Sequence, residues 1–184
     1  AVHTLLASLR AKAIARHWFG PAAQRWFRLF YNFIAILTLL PVLVLPIVLV
    51  DKTLYSIRFP WVILTGFIQV AALVTLIVGI FQTGWMSFLG IEQLFSKAEE
   101  KPPSLVLNGL YRYVRHPLYT AGLAIIWLMP VMTCNLLALN IGLTLYILVG
   151  AIYEERKLLH EYGSTYADYR KRTPMLIPGL RFKK

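Results

Sequence analysis

Acidic residues are scarce in this chain: 8 Asp and Glu stand against 19 Lys and Arg, and charges of both signs make up only 15% of 184 residues. So little polar surface cannot cover a water-facing globule, which excludes an ordinary soluble domain and makes the bilayer the default surroundings. Cysteine is limited to Cys134, so there is no internal disulfide framework and compartment stays open. The four histidines, His3, His17, His116 and His160, lack the close spacing of a ligand set, so no metal is expected. There is no Gly-x-Gly-x-x-Gly after a strand and no Walker loop, which excludes the soluble nucleotide-binding folds. No serine–histidine–aspartate or cysteine–histidine arrangement suggests itself either. The net charge of +11 is spread between apolar runs and not along one face, which speaks for membrane topology and against a nucleic-acid partner. No cleavable signal peptide is expected, because the apolar stretch before Arg10 and Lys12 is too short.

What the chain has in abundance is apolar runs, which account for its 58% hydrophobic content. Residues 1–28 show helical spacing through Val2, Leu5, Leu6, Leu9 and Ala13, and read as an interfacial stretch broken at Gly20-Pro21. Residues 29–50 form a first span of about 22 residues, with Pro41 and Pro46 tolerated as kinks. Residues 60–82 form a second, after a short loop at 51–59. Residues 86–95 suit a helix lying in the interface, and 96–103 a polar loop. Two further spans, 118–134 and 136–153, follow with only Asn135 between them, each about 17 to 19 residues and near the minimum for a crossing. So tight a turn predicts an antiparallel helical hairpin, with Gly122, Gly142 and Gly150 letting its helices approach. The fold expected is therefore all-α: one polytopic membrane domain, 1–184, of about four transmembrane helices ending in a helical hairpin and a helical tail. Residues 1–107 supply N-terminal helices and 108–184 the functional region.

Orientation follows from the basic residues. Four spans leave only Lys52 and Arg58 on one face and the other Lys and Arg on the opposite one, which the positive-inside rule makes cytoplasmic. That face gathers two polar stretches. Arg115-His116-Pro117-Leu118-Tyr119 opens the third span, with Pro117 suited to a first helical turn. Its cations and the helix amides suit a carboxylate, although the same charges also suit plain anchoring at lipid headgroups. Glu154-Glu155 closes the fourth span, where carboxylates mark a site unless they are simply solvated at a helix extension. Beyond them, Gly163 stops the helix, Ser164 caps a short one over 165–172, and Pro174 ends it. Tyr162, Tyr166 and Tyr169 share a helical face and suit interface anchoring better than ligand contact. The two stretches together suit a zwitterion, its carboxylate against Arg115 and His116 and its ammonium against Glu154 or Glu155.

Four blocks carry a family resemblance. Arg-His-Pro-Leu-Tyr (115–119), Glu-Glu-Arg-Lys-Leu (154–158), Tyr-Gly-Ser-Thr-Tyr-Ala-Asp-Tyr-Arg (162–170) and Thr-Pro-Met-Leu-Ile-Pro (173–178) resemble the C-terminal signature of the isoprenylcysteine carboxyl methyltransferase family. His-Thr-Leu-Leu-Ala-Ser (3–8), residues 24–32 and the ending from Arg172 are similar to bacterial methanethiol S-methyltransferases and nitrite/nitric-oxide-reductase-associated membrane proteins. Those carry a further apolar helix before the first motif, which would make five spans. The resemblance implies an enzyme that uses S-adenosylmethionine, in a bacterial inner membrane, with its site on the cytoplasmic face. It implies that Tyr111, Val114, His116, Pro117, Tyr119, Glu154 and Glu155 hold the cofactor. It further implies that Arg115 and Arg170 face the acceptor, with Arg115 and Glu154 catalytic. The partners it implies are the lipid bilayer and a small or lipophilic thiol or carboxylate acceptor. A phospholipid N-methyltransferase, a sterol-reductase-like oxidoreductase and a non-enzymatic assembly factor remain as rival readings of the same pattern.

Overall fold

The computed structural model describes residues 22–84 and 105–180, with short pieces at 13–14, 17–18 and 20. The expected interfacial helix at 86–95 and the loop at 96–103 lie outside the described residues, as does most of 1–28. The chain forms two compact units, one containing helix α1 (Ala22–Val48), the other Leu49–Gln82 with the described part of Ser104–Lys184. Helix α1 starts earlier than the expected span and carries Pro41 and Pro46 inside it.

The second unit holds the site. Strand β1 (Thr53–Ser56) leads into helix α2 (Trp61–Gln82), and a single 3-10 turn (Gly109–Arg112) leads into α3 (Pro117–Trp127). Strand β2 (Val131–Thr133) then leads into α4 (Cys134–Arg172). α2 and α4 are the two described helices long and apolar enough to cross a membrane. They are greasy outward as well as inward; Phe67 is 73% exposed and Leu145 58%, positions suited to lipid. This is a membrane protein, and mostly helical.

The all-helical expectation needs two corrections. Residues 51–59 are not plain loop: β1 pairs antiparallel with β2, Thr53 opposite Thr133 and Ser56 opposite Val131. And 118–134 is not one spanning helix. α3 has 11 residues, about 16 Å of rise, roughly half a bilayer core. Pro130 is the reason, since a proline disfavours helix in the residue before it and cannot donate within one. The chain continues in extended form to β2, and α4 begins at Cys134 with the Thr133 side chain accepting from the Leu136 amide. Asn135, expected in the turn, lies inside α4 with its amide on the Asp51 carboxylate at 3.1 Å.

Ending a helix at membrane depth leaves carbonyls without partners, which is costly where no water reaches. Two side-chain amides remove the difficulty: Gln69 of α2 donates to the Ile125 carbonyl at 3.0 Å, and Asn140 of α4 to Ile126 at 2.7 Å. Trp127 adds a bond to Thr144 at 2.9 Å. Close approach occurs at Gly79 of α2, where a Cβ would stand 2.7 Å from the Leu118 side chain. At Gly122, Gly142 and Gly150, expected to serve that purpose, a Cβ would meet nothing within 4 Å.

α2, α3 and α4 thus run between a sheet end and a site end. The Gln82 carboxamide, closing α2, accepts from the Leu110 amide at 3.3 Å, and α3 leaves from that same end. α4 returns there, its apolar run over 134–153 ending at Glu154.

Candidate active site

Arg115 precedes the first turn of α3, and Pro117 at that turn fixes the direction of the chain. Its guanidinium faces Glu155, with Nε and Nη2 both 2.6 Å from Oε1. Nη1 donates to the Arg170 carbonyl at 3.1 Å and to that of Thr173. The two side chains are 9% and 7% exposed, so this charge pair is almost completely enclosed. Arg170 returns to the same carboxylate, its Nε 3.2 Å from Oε2, with 37% of its side chain still open.

His116 lies under this pair. Its Nε2 stands 3.4 Å from Glu155 Oε1 and its Nδ1 3.6 Å from Glu154 Oε2. The first is an electrostatic contact out of line for a hydrogen bond, which leaves Nε2 buried without a bonding partner. The ring stacks on Tyr119, centroids 5.2 Å apart, and the Tyr119 hydroxyl donates to Glu154 Oε2 at 3.0 Å. The two glutamates therefore differ. Glu155 is enclosed by Arg115, Arg170 and His116, whereas Glu154 keeps 47% of its side chain exposed beside a hydroxyl and an imidazole. Burial alone pushes the Glu155 carboxyl up, but His116 and Arg115 outweigh it and hold it below the ordinary carboxylate range.

The tail closes the arrangement. Gly163 has φ +53°, a left-handed conformation that suits glycine and breaks α4 into two arms. This is the expected stop, and the second arm ends at Arg172 as Pro174 requires. Thr173–Leu176 then runs beside the start of α3. The Arg115 amide donates to Pro174 at 2.9 Å, the His116 amide to Met175 at 3.1 Å, and the Thr120 hydroxyl to Leu176 at 2.6 Å.

Tyr166 and Tyr169, expected as interface anchors, point inward instead. Tyr166 is 1% exposed, and Tyr169 donates to the Tyr111 carbonyl at 2.6 Å. The break at Gly163 is the reason, since it separates their face from that of Tyr162. Burial pushes the Tyr111 and Tyr169 hydroxyls up to about 12 and that of Tyr166 up as well, so all three stay neutral and none serves as a base; among the described residues the buried Tyr166 hydroxyl has no hydrogen-bond partner.

The structure thus brings together Arg115, His116, Tyr119, Glu154, Glu155 and Arg170. Val114 and Pro117 are buried in the packing beneath them, and Tyr111 is joined through its carbonyl, with its side chain close enough to Glu154 to feel that charge. Gln69, Asn140, Thr120 and Thr173 escaped the sequence reading. The signal for the first two was on the page: amides inside apolar runs.

Residues 63–165, more than half of the chain, match the family model described as phospholipid methyltransferase. The chain belongs to that family. The matched region of this phospholipid methyltransferase family member contains both polar stretches of the site. The chain is similar to methanethiol S-methyltransferase 2 of Bradyrhizobium diazoefficiens, 37% identical over 120 residues, covering 57% of this chain and 46% of the relative. It is 36% identical over 108 residues to methanethiol S-methyltransferase of Crocosphaera subtropica, covering 57% and 42%. To that of Mycobacterium tuberculosis it is 36% identical over 107 residues, covering 56% and 44%. The matched stretch spans less than half the length of each of these curated relatives. No solved structure matches this family member.

Proposed function

We propose that this chain is the catalytic part of a bacterial inner-membrane methyltransferase that moves a methyl group from S-adenosylmethionine to a small thiol, with its site open to the cytoplasm. The half-exposed Glu154 carboxylate, flanked by the Tyr119 hydroxyl and the His116 ring, carries the reading.

The side chains fit a donor with an ammonium and a sulfonium. Glu154 has oxygen lone pairs beyond the one taken by Tyr119, and an exposed carboxylate there matches an ammonium. The stacked His116 and Tyr119 rings offer an aromatic wall suited to a cationic centre. When bound, S-adenosylmethionine supplies an already activated methyl group. What remains for the protein is to align the thiol and to keep water out. Glu154 and not Glu155 is the ammonium partner in this reading, because Arg115 and Arg170 already pair with Glu155.

Arg170 is the acceptor-facing cation in this reading. A thiol ionises only partly near neutrality and is drawn toward its anion by a nearby cation. Arg170 retains exposure and unused N–H groups, whereas Arg115 is closed. Arg115 then acts as a positioning residue that joins α3, α4 and the tail.

The thiol acceptor is favoured by the names of the relatives, the amine of a phospholipid by the family description. The test is to incubate the purified chain with methyl-labelled S-adenosylmethionine and, separately, methanethiol, a prenylcysteine and phosphatidylethanolamine. Label in the thioether is expected. Label only in the phospholipid, or none while the cofactor binds, overturns the reading.

A further inference from the structure

The second unit has a cleft whose lining does not include Glu154. This cleft, of about 710 Å³, opens between the 3-10 turn before α3 and the second arm of α4, and Arg112 and Arg172 line it. Among the described residues neither guanidinium makes a hydrogen bond or an ion pair. Asp168 is on the same wall; Lys171 holds it at 3.0 Å, and Arg172 adds a weaker pull on the same carboxylate that stops short of an ion pair. The Tyr169 hydroxyl is engaged with Tyr111, which leaves the Thr165 and Thr173 side chains as the neutral polar lining. The volume lies within the range of small-ligand sites.

We infer that this cleft holds the phosphate headgroup of an anionic phospholipid from the leaflet on the site side of the membrane. The guanidinium fork matches phosphate oxygens in pairs, and two forks lining one cleft without an ion-pair partner among the described residues suit an anion. The place decides which anion. Arg112 precedes α3 by only a few residues, at the end where α2 finishes and the apolar run of α4 gives way to charge. That is the level of the headgroups, where anionic lipids concentrate on the cytoplasmic side and basic pockets retain them. Leu107 forms an apolar edge to the cleft, which suits the glycerol end of a lipid and has no use for a free ion. A zwitterionic choline headgroup would bring its own cation toward the two arginines and be disfavoured. The bound lipid would tie the 3-10 turn to the second arm of α4, the two elements that the Tyr169–Tyr111 bond already joins. The inference rests on the membrane placement and not on the methyl-transfer reading.

Native mass spectrometry of the purified full chain, offered phosphatidylglycerol and phosphatidylcholine in equal amounts, tests it. The unsubstituted chain should retain phosphatidylglycerol with a preference of about 10-fold or more. Arg112→Gln/Arg172→Gln should abolish that preference, while Arg156→Gln/Lys157→Gln, which removes equal charge outside the cleft, should keep it. Thermal unfolding and S-adenosylmethionine binding are measured on each variant. Should the double variant melt early, the single Arg112→Gln change is compared with Arg112→Lys, and the preference must fall more with Gln. An unaltered preference in the cleft variants overturns the inference. So does protection of the same arginines by inorganic phosphate as effectively as by lipid, which would make this a free-phosphate site. Loss of cofactor affinity with lipid preference intact would assign the cleft to the cofactor and overturn it too.

Discussion

Glu155 Oε1 sits 2.6 Å from two nitrogens of Arg115, a residue 40 positions earlier in the chain, and both side chains are almost completely enclosed. The pair is the junction where the start of α3, the end of the apolar run of α4 and the tail carbonyls of Arg170 and Thr173 meet. A charge buried this deeply tolerates its partner and little else.

Removing one member should therefore leave the other uncompensated, with a loss of about 3–5 kcal/mol. Glu155→Gln and Arg115→Met are each expected to lower thermal stability in detergent, and Arg115→Met/Glu155→Met to recover part of the loss. Arg115→Lys keeps charge but not the fork and should fall between. An Arg115→Met protein of normal stability and vanishing turnover would return Arg115 to the acceptor-facing role that the sequence suggested.

The same pair sets an acid limit. The folded-state value of Glu155 lies below its unfolded one, through His116 and Arg115 and against burial. Its stabilising contribution is thus complete above the ordinary carboxylate range and is lost as pH falls through the folded value. Melting temperature should decline as pH drops below about 4, and Glu155→Gln should flatten that part of the profile. Identical acid limbs for the two proteins would place the acid-sensitive group elsewhere.

Much of this was legible in the residues. Glycine at 163, proline at 174 and proline at 117 each name a backbone event, and each occurs where its chemistry requires. The convergence of the Arg-His and Glu-Glu stretches followed from antiparallel spans. Hydropathy could not show that α3 stops half-way, because an extended apolar segment and a helical one have the same composition; only Pro130 and the isolated Gln69 and Asn140 hinted at it. Nor could adjacency show that Glu155 faces in and Glu154 faces out, since that depends on the rotation of α4 against α3.

Glu154 is expected to carry cofactor affinity without carrying the fold. Losing an ammonium partner that is partly solvated should weaken S-adenosylmethionine binding by roughly 10- to 100-fold, the lower end of what broken charge pairs cost. Glu154→Gln should do this with an unchanged melting temperature, and Tyr119→Phe should act in the same direction by less. Calorimetry on the two proteins decides the matter: unaltered affinity in Glu154→Gln makes the residue a solvated helix extension.

Gln69 and Asn140 should prove structural. Each supplies a donor to a carbonyl that α3 leaves open at membrane depth, and such bonds contribute about 0.6 to 2 kcal/mol. Asn140→Leu is expected to destabilise more than Gln69→Leu, because Asn140 is buried at 3% exposure and Gln69 is only partly covered. Both proteins should bind the cofactor normally once folded. Equal stability to the unsubstituted chain would mean that α3 extends when its caps are removed.

The last expectation concerns sidedness. Within the second unit, Lys52 and Arg58 belong to the sheet end, while Arg112, Arg156, Lys157, Lys171 and Arg172 belong to the site end. Basic residues near span ends are retained on the cytoplasmic side, so the site end should be cytoplasmic and the sheet end outside. A phosphatase reporter inserted at residue 55 should be active, and one fused after residue 180 silent, with a fluorescent fusion giving the reverse pattern. The outside loop is small, and the β1–β2 pairing shields its backbone without any need for charge. An active phosphatase at both positions would mean that the chain does not cross between them an odd number of times. In that case α2, α3 and α4 would not be three passes, and the cofactor, made in the cytoplasm, would have no route to Glu154.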